Sequence, residues 1–195
     1  MTMPFDAMND TPDEALLVLY ANGDRRAAQA LTMRLTPQVL GYATRLLNDR
    51  AEAEDVAQEA MLRLWKIAPQ WRQGEAKVTT WLYRVVTNLC TDRLRKKRAV
   101  ALDAVPEPDD GRPSAAEGMI EAERAAALDA ALATLPDRQR QAVVLRHLEG
   151  ATNPEIAQVL EISVEAVESL TARGKRALKA ALAGQREELG YSDDE

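Results

Sequence analysis

Residues 102–118, LDAVPEPDDGRPSAAEG, constrain this chain more than any other stretch. Three prolines, two glycines and an acidic excess leave little to bury and interrupt any regular element that would cross them. A chain of 195 residues is therefore expected to divide into residues 1–99, a linker at 100–118, and residues 119–195. Bodies of that size bury only modest cores. On both sides the apolar residues recur at spacings of three and four. No stretch alternates convincingly as a strand, and Ala, Leu, Arg and Glu dominate. The expected fold class is all-α: two small helical domains joined by a flexible acidic linker, the C-terminal one containing a helix-turn-helix.

In the first body a helix is expected from TPDEALLVLYANGD, with Thr11 as cap, Pro12 at the first helical position, Glu14 closing a capping box and Gly23 as the stop. A second runs from about Asp24 to about Leu47 with a turn near Pro37. A third, capped by Asp49 and Glu52, ends at Pro69. Its positions Val56, Ala60, Leu64 and Ile67 share a buried face, while Asp55, Gln58 and Glu59 share a polar one. After a loop, a fourth helix is expected near Thr80. Trp81, Leu82, Val85, Val86, Leu89, Cys90 and Leu94 form its apolar stripe, and Arg84, Asn88, Thr91 and Arg95 lie opposite.

Charge is distributed unevenly. The whole chain has a formal net charge of -6, yet residues 84–98 carry Arg84, Arg93, Arg95, Lys96, Lys97 and Arg98 against the single acid Asp92. A second basic cluster, Arg173, Lys175, Arg176 and Lys179, lies near the C-terminus, and the tail from 187 onward is acidic. Two separated basic patches on an acidic protein point to contact with a polyanion at chosen places rather than everywhere.

The second body is expected to hold a helix from about Ser114 to Ala133 and, after Leu135 and Pro136, a helix burying Ala142, Val143, Leu145 and Leu148 that stops at Gly150. TNPEIAQVLEISVEAVESLTARGKRALKAAL then reads as two amphipathic helices about a tight turn. Ile156, Val159 and Leu160 face inward from the first; Ser163 caps the second, whose apolar side continues through Val164, Val167, Leu170, Leu178 and Leu182. Ala157, a turn residue at 161 and Val167 have the helix-turn-helix spacing. A plain three-helix bundle produces the same periodicity, and the basic cluster just beyond the second helix is what favours DNA. Glu161 stands where glycine is usual, at a cost of about 1 kcal/mol if left-handed.

An enzyme is not expected. His147 is the only histidine, and Cys90, the only cysteine, sits on an apolar stripe. The chain has no metal-ligand motif, glycine-rich phosphate loop or nucleophile signature, and no cofactor is implied. There is no cation before Arg25 and no long apolar run, so neither a secretory signal nor membrane insertion is expected; a reducing cytoplasm fits.

Taken in order, AEAEDVAQEAMLRLWK, VTTWLYRVVTNLCTDRLRKKR, the acidic linker and LPDRQRQAVVLRHLEGATNPEIAQVLEISVEAVESLTARGKRAL resemble a bacterial RNA polymerase sigma factor of the extracytoplasmic-function (ECF) group, over roughly residues 11–183. The resemblance implies that core RNA polymerase and promoter DNA are partners, with an anti-sigma factor holding the chain inactive. It implies that the first domain reads and helps melt the -10 element. Trp71, Arg84 and Asn88 would lie near a flipped base, and Arg93, Arg95, Lys96, Lys97 and Arg98 along the backbone. Trp65 and Trp81 also sit partly on buried stripes, where packing explains them, and a basic helix end also complements the helix dipole. Asp55, Gln58, Glu59 and Arg63 match the surface that docks on core polymerase, though by pattern alone they are a solvated face. Residues 163–173 would enter the -35 major groove. Ser163, Glu165, Glu168, Ser169, Thr171 and Arg173 are the contact candidates there, with Lys175 and Arg176 on phosphate. The two glutamates depart from the more basic family pattern. The linker would run along the polymerase's RNA path or serve as a simple tether. The rival readings are a stand-alone helix-turn-helix regulator that binds duplex DNA without polymerase, and an RNA-binding or scaffolding helical protein.

Overall fold

The computed structural model describes residues 8, 10–72, 74, 76–101 and 119–183, and these contain helices and turns but no strand. The acidic linker after residue 101 and the acidic tail lie outside the described residues. In chain order the helices are α1 (Asp13–Ala21), α2 (Arg25–Leu47), α3 (Arg50–Ile67), α4 (Val78–Ala101), α5 (Met119–Ala133), α6 (Asp137–His147), α7 (Asn153–Leu160) and α8 (Val164–Ala183), with a 3-10 turn at Ala68–Gln70.

Helices α1 to α4 form the first domain. The cap expected from Thr11 is not made: Pro12, expected at the first helical position, is itself the N-cap, with no side-chain cap bond, and α1 begins at Asp13. Glu14 instead accepts a 3.0 Å hydrogen bond from the backbone N–H of Val78, the first residue of α4. A carboxylate that looked like a local cap thus satisfies an orphan donor of a helix 64 residues away. Arg34 of α2 ties the chain's start down, pairing with Asp13 at 2.5 Å and donating to the carbonyls of Thr11 and Met8.

The turn expected near Pro37 is also absent, and α2 runs through it without a break. Proline removes one helical N–H. Buried neighbours on both sides, Leu31, Leu35, Val39, Tyr42 and Leu46, keep the helix continuous across it. Asp49 caps α3 by accepting from Glu52 N–H at 3.0 Å, and Val56, Ala60 and Leu64 are fully buried against α2. On α4, Tyr83 meets the Tyr42 ring edge-on at 5.1 Å, while the Tyr42 hydroxyl bonds the buried Thr87 hydroxyl at 2.8 Å. Cys90 is fully buried in the same core, and burial pushes its thiol up to about 12.

Helices α5 to α8 form the second domain. Thr152 and Glu155 make a reciprocal capping box at the start of α7. Glu161 ends α7 at φ 54°, the left-handed conformation anticipated for that turn. The Ser163 hydroxyl accepts from Ala166 N–H at 3.2 Å to open α8. Ile156, Val159, Leu160 and Val167 are buried as expected, but Leu148 is not: it is 39% exposed, one residue past the end of α6. Gly174 has a role its sequence context concealed. It is buried where α8 crosses α6, and a Cβ there would lie 2.5 Å from Val143 Cγ2 and 3.2 Å from the Gln139 carbonyl oxygen.

The domains pack against each other, α7 on α4, and α5 and α6 on the C-terminal end of α2. Arg140 lies at the centre of that contact, 8% exposed. Its guanidinium donates to the Leu46 carbonyl at 2.8 Å, and to the carbonyls of Ala133 at 2.9 Å and Leu135 at 3.2 Å. It thereby supplies donors to the ends of α2 and α5, whose last carbonyls have no partner within their own helices.

Candidate nucleic-acid interface

Three surfaces carry the candidate residues. The first is α4 with the loop before it. Arg84, Asn88, Thr91 and Arg95 are all exposed on one side of the helix, as the spacing predicts. Trp71 is half-buried, its ring 6.2 Å from that of Trp81 at 90°, and its indole N–H is buried without a hydrogen-bond acceptor. Trp65 packs edge-on against Tyr20 at 4.7 Å, a core role.

The basic stripe does not form one face. Arg93 turns back to α3, where it pairs with Glu52 and lies 3.9 Å from Asp55; Lys97 reaches Asp49 at 3.0 Å. Arg95 pairs with Asp92 on its own helix at 3.1 Å. Lys96 is exposed. Arg84 and Arg98 reach across to the second domain, to Glu161 and Asp137 respectively. Sequence reasoning missed Lys77, which precedes α4 and pairs with Glu155 at 2.7 Å. Single-helix periodicity has no means of finding such pairs, because each partner looks like an ordinary solvated charge.

The second surface is the exposed side of α8. Ser163, Glu165, Glu168, Ser169, Arg173 and Arg176 are exposed. Arg173 is braced along the helix, donating to the Ser169 hydroxyl at 2.6 Å and to its carbonyl at 3.3 Å. Glu165 is held below the usual carboxylate range by its own backbone N–H and the Ser163 hydroxyl. Lys175 is exposed as well, and Thr171 stands apart from this group. The Thr171 hydroxyl is buried without a partner. Lys175 borders a groove of about 180 Å³ lined by Leu128, Leu132, Val143 and Leu178.

The third surface is on α3. Asp55, Gln58 and Arg63 are exposed and Glu59 is half-exposed; Arg63 bonds Glu59 at 2.8 Å and holds its carboxyl below the ordinary value. Beside them a groove of about 330 Å³ runs between α2 and α3, lined by Leu40, Ala57, Gln58, Met61, Leu62 and Trp65. Leu62, 46% exposed, is the apolar element the polar pattern did not reveal.

This arrangement, two helical domains with a helix-turn-helix in the second, coincides with two known family models in the same order. Residues 31–100 match Sigma-70 region 2, and residues 125–178 match Sigma-70, region 4. The chain belongs to the ECF group of RNA polymerase sigma factors. It is 30% identical over 181 residues to the RNA polymerase sigma-H factor of Pseudomonas aeruginosa, covering 87% of this chain and 93% of that protein. It is 34% identical over 174 residues to the ECF RNA polymerase sigma factor SigM of Mycobacterium tuberculosis, covering 89% of this chain and 86% of that protein. Among solved structures, CnrH in complex with the cytosolic domain of CnrY superposes with a TM-score of 0.66 at 26% identity, covering 88% of this chain and 97% of that one. The sigma factor RpoE of Bartonella quintana, solved with the anti-sigma factor NepR, shares the fold at TM-score 0.66 and 19% identity, covering 80% of this chain and 96% of that one. As a sigma factor the chain binds core RNA polymerase and promoter DNA, and directs initiation of transcription. No described helix is long and apolar enough to cross a membrane.

Proposed function

We propose that this sigma factor divides its work between residues 1–99 and 119–195, with 100–118 as the connection. In this reading α4 and the preceding loop serve the -10 element. Trp71 offers a ring and an unpartnered N–H to an unpaired base, Asn88 a bidentate base contact, and Arg84, Arg95, Lys96 and Arg98 phosphate contacts. Arg93 and Lys97 hold α4 to α3. The exposed residues Ser163, Glu165, Glu168, Ser169 and Arg173 of α8 meet the -35 element, with Lys175 and Arg176 on phosphate and Thr171, whose hydroxyl is buried, outside that contact. The α3 face with Asp55, Gln58, Glu59 and Arg63, together with the Leu62 groove, docks on core polymerase.

The chain acts where RNA polymerase acts, in the cytoplasm, as a binding protein rather than an enzyme. An anti-sigma factor restrains it, because a free sigma factor would otherwise compete for polymerase continuously. Recovery from its host only with polymerase, under every growth condition, would remove that restraint from the proposal.

The observation that carries the reading is the pairing of an exposed, capped α8, the second helix of the helix-turn-helix, with a basic, Trp-flanked α4 in the other domain. The test is to mix the purified chain with core polymerase and fragmented host DNA, then map transcript starts. Discrete starts sharing two spaced upstream elements are expected. Tight duplex binding by the chain alone, with no new starts, would replace the proposal with a stand-alone regulator.

A further inference from the structure

Away from the polar seam where Lys77, Arg84 and Arg98 of the first domain meet Glu155, Glu161 and Asp137 of the second, the second domain carries an apolar feature that the promoter reading does not use. In the groove of about 180 Å³ between α5, α6 and α8, Leu128 and Leu132 form one wall, Val143 and Leu148 another, and Leu178 the third. Leu148, expected in the core, stands 39% exposed at its edge. Covering such side chains is favourable, and a small helical domain buries only a modest core without them. The rim is cationic. Lys175 borders the groove, Lys179 lies one turn further along α8, and Arg146 precedes His147 at the end of α6. His147 is held below its ordinary value first by burial and then by the Lys175 and Arg146 charges, which places both cations near the groove. Among the described residues no acid pairs with Lys175, Lys179 or Arg146. An apolar slot edged by unopposed cations fits a segment that sets apolar side chains between acids.

Such a segment follows α8 directly. Residues 184–195, GQREELGYSDDE, hold Leu189 and Tyr191 between Glu187 and Glu188 on one side and Asp193, Asp194 and Glu195 on the other, with Arg186 as the single cation. The reach is sufficient. Lys175 lies eight residues, about 12 Å, back along α8 from Ala183, and the six residues from Ala183 to Leu189 span about 20 Å when extended. Gly184 is the residue type that lets a chain reverse direction after a helix. The other acidic stretch fits less well, because residues 106–118, which lead into α5, contain no Leu, Ile, Val, Met or aromatic side chain.

We propose that residues 184–195 fold back from the end of α8 into this groove, with Leu189 and Tyr191 against Leu128, Leu148 and Leu178 and the flanking carboxylates against Lys175, Lys179 and Arg146. The segment then serves as an apolar cover that completes the core of the second domain. Any other protein that uses the groove must first displace it. Docking there is independent of what the exposed side of α8 binds.

The test uses the full chain with a nitroxide spin label at Ser192→Cys, Cys90 being fully buried. Paramagnetic broadening is read by NMR at leucine methyl groups and at the ring of His147, the only histidine. Leu128, Leu148, Leu178 and His147 are expected to lose intensity, while Leu40 and Leu62 of the α2–α3 groove keep theirs. Leu189→Ser keeps every charge and is expected to lower the docked-to-free ratio about tenfold. Glu187→Gln with Glu188→Gln lowers it by up to about twenty-fivefold, since each exposed pair is worth up to about fivefold. Raising salt from about 0.05 to about 0.5 M weakens the charged contribution and leaves that of Leu189. None of these three residues belongs to a described helix, so the variants keep the fold. Full intensity at Leu148 and Leu178, or a loss that neither variant reverses, overturns the docking. Equal loss at Leu40 and Leu62 overturns the choice of groove. Loss that arises only when spin-labelled chain of natural isotopic abundance is mixed with isotope-labelled chain lacking the nitroxide overturns the fold-back, because the occupant is then a second copy.

Discussion

The two helices proposed to meet DNA, α4 and α8, are both basic and present their cations in opposite ways. On α4, Arg84, Arg93, Arg95, Lys97 and Arg98 each have an acidic partner, two of them in the other domain. On α8, Arg173 is braced only by Ser169, and among the described residues no acid pairs with Arg173, Lys175 or Arg176. Counting cations would rank α4 as the stronger polyanion binder. Availability reverses the order, because an engaged guanidinium must first give up its carboxylate. The exposed cations of α8 are therefore open to a polyanion, whereas most of those on α4 are engaged.

The largest expected effect comes from removing what holds the domains together. Arg140→Ala leaves the carbonyls of Leu46, Ala133 and Leu135 without their donor in a buried setting. A loss of about 2–3 kcal/mol in stability is expected, measured by denaturant unfolding. The Leu46 bond is interdomain, so protease accessibility around α4 should rise toward that around α8, and the contrast between the helices should shrink. Unchanged accessibility would mean that the polar seam alone keeps the domains together.

Next in size is a change confined to the α8 side. Gly174→Ala gains about 1 kcal/mol of helix propensity. It also drives a methyl against the branched Val143 side chain and the Gln139 carbonyl oxygen, neither of which can swing away. Overpacking of that kind costs about 1–3 kcal/mol, so a net loss of about 1 kcal/mol is expected in thermal unfolding. Duplex binding at the -35 element should fall with it, while core-polymerase docking through α3 is unaffected. A neutral or stabilising result would show that α6 and α8 can separate without cost.

How far these features were legible before the structure follows from their range. Helix positions, the buried sides of α3 and α7, the Ser163 cap and the left-handed Glu161 all depend on neighbours within one or two turns, where periodicity and capping chemistry carry information. The misreadings are long-range. Glu14 sits in a first turn like a local cap, yet serves α4. Pro37 resembles a break, but packing on either side overrides it. Gly174 resembles any helical glycine until α6 lies across it. The candidate surfaces behaved the same way. Exposure of Arg84 and Asn88 followed from spacing, whereas the partners of Arg84, Lys77 and Arg98 lie on another domain, and no pattern within one helix encodes them.

The smallest effect sharpens the comparison most directly. Glu155 is held down to about 2, first by the Lys77 ammonium and then by the backbone N–H and hydroxyl of Thr152. A carboxyl depressed in the folded state stabilises it above the ordinary value near 4.5, and that contribution is lost as pH falls from there through about 2. The two causes are separable, because Thr152 is local to α7 whereas Lys77 belongs to the other domain. Lys77→Met should therefore raise the Glu155 value part-way toward 4.5 while the capping box keeps the rest of the depression, and narrow the acid window over which stability is lost. Carboxyl-detected NMR titration of the full chain reads this residue by residue. Glu165 on α8, whose depression comes from its own backbone and Ser163 alone, serves as the internal control and should not move. If Glu155 is as insensitive to Lys77 as Glu165 is, the two helices are equally open in solution and the difference between them disappears; if only Glu155 moves, the α4 seam is populated in the free chain.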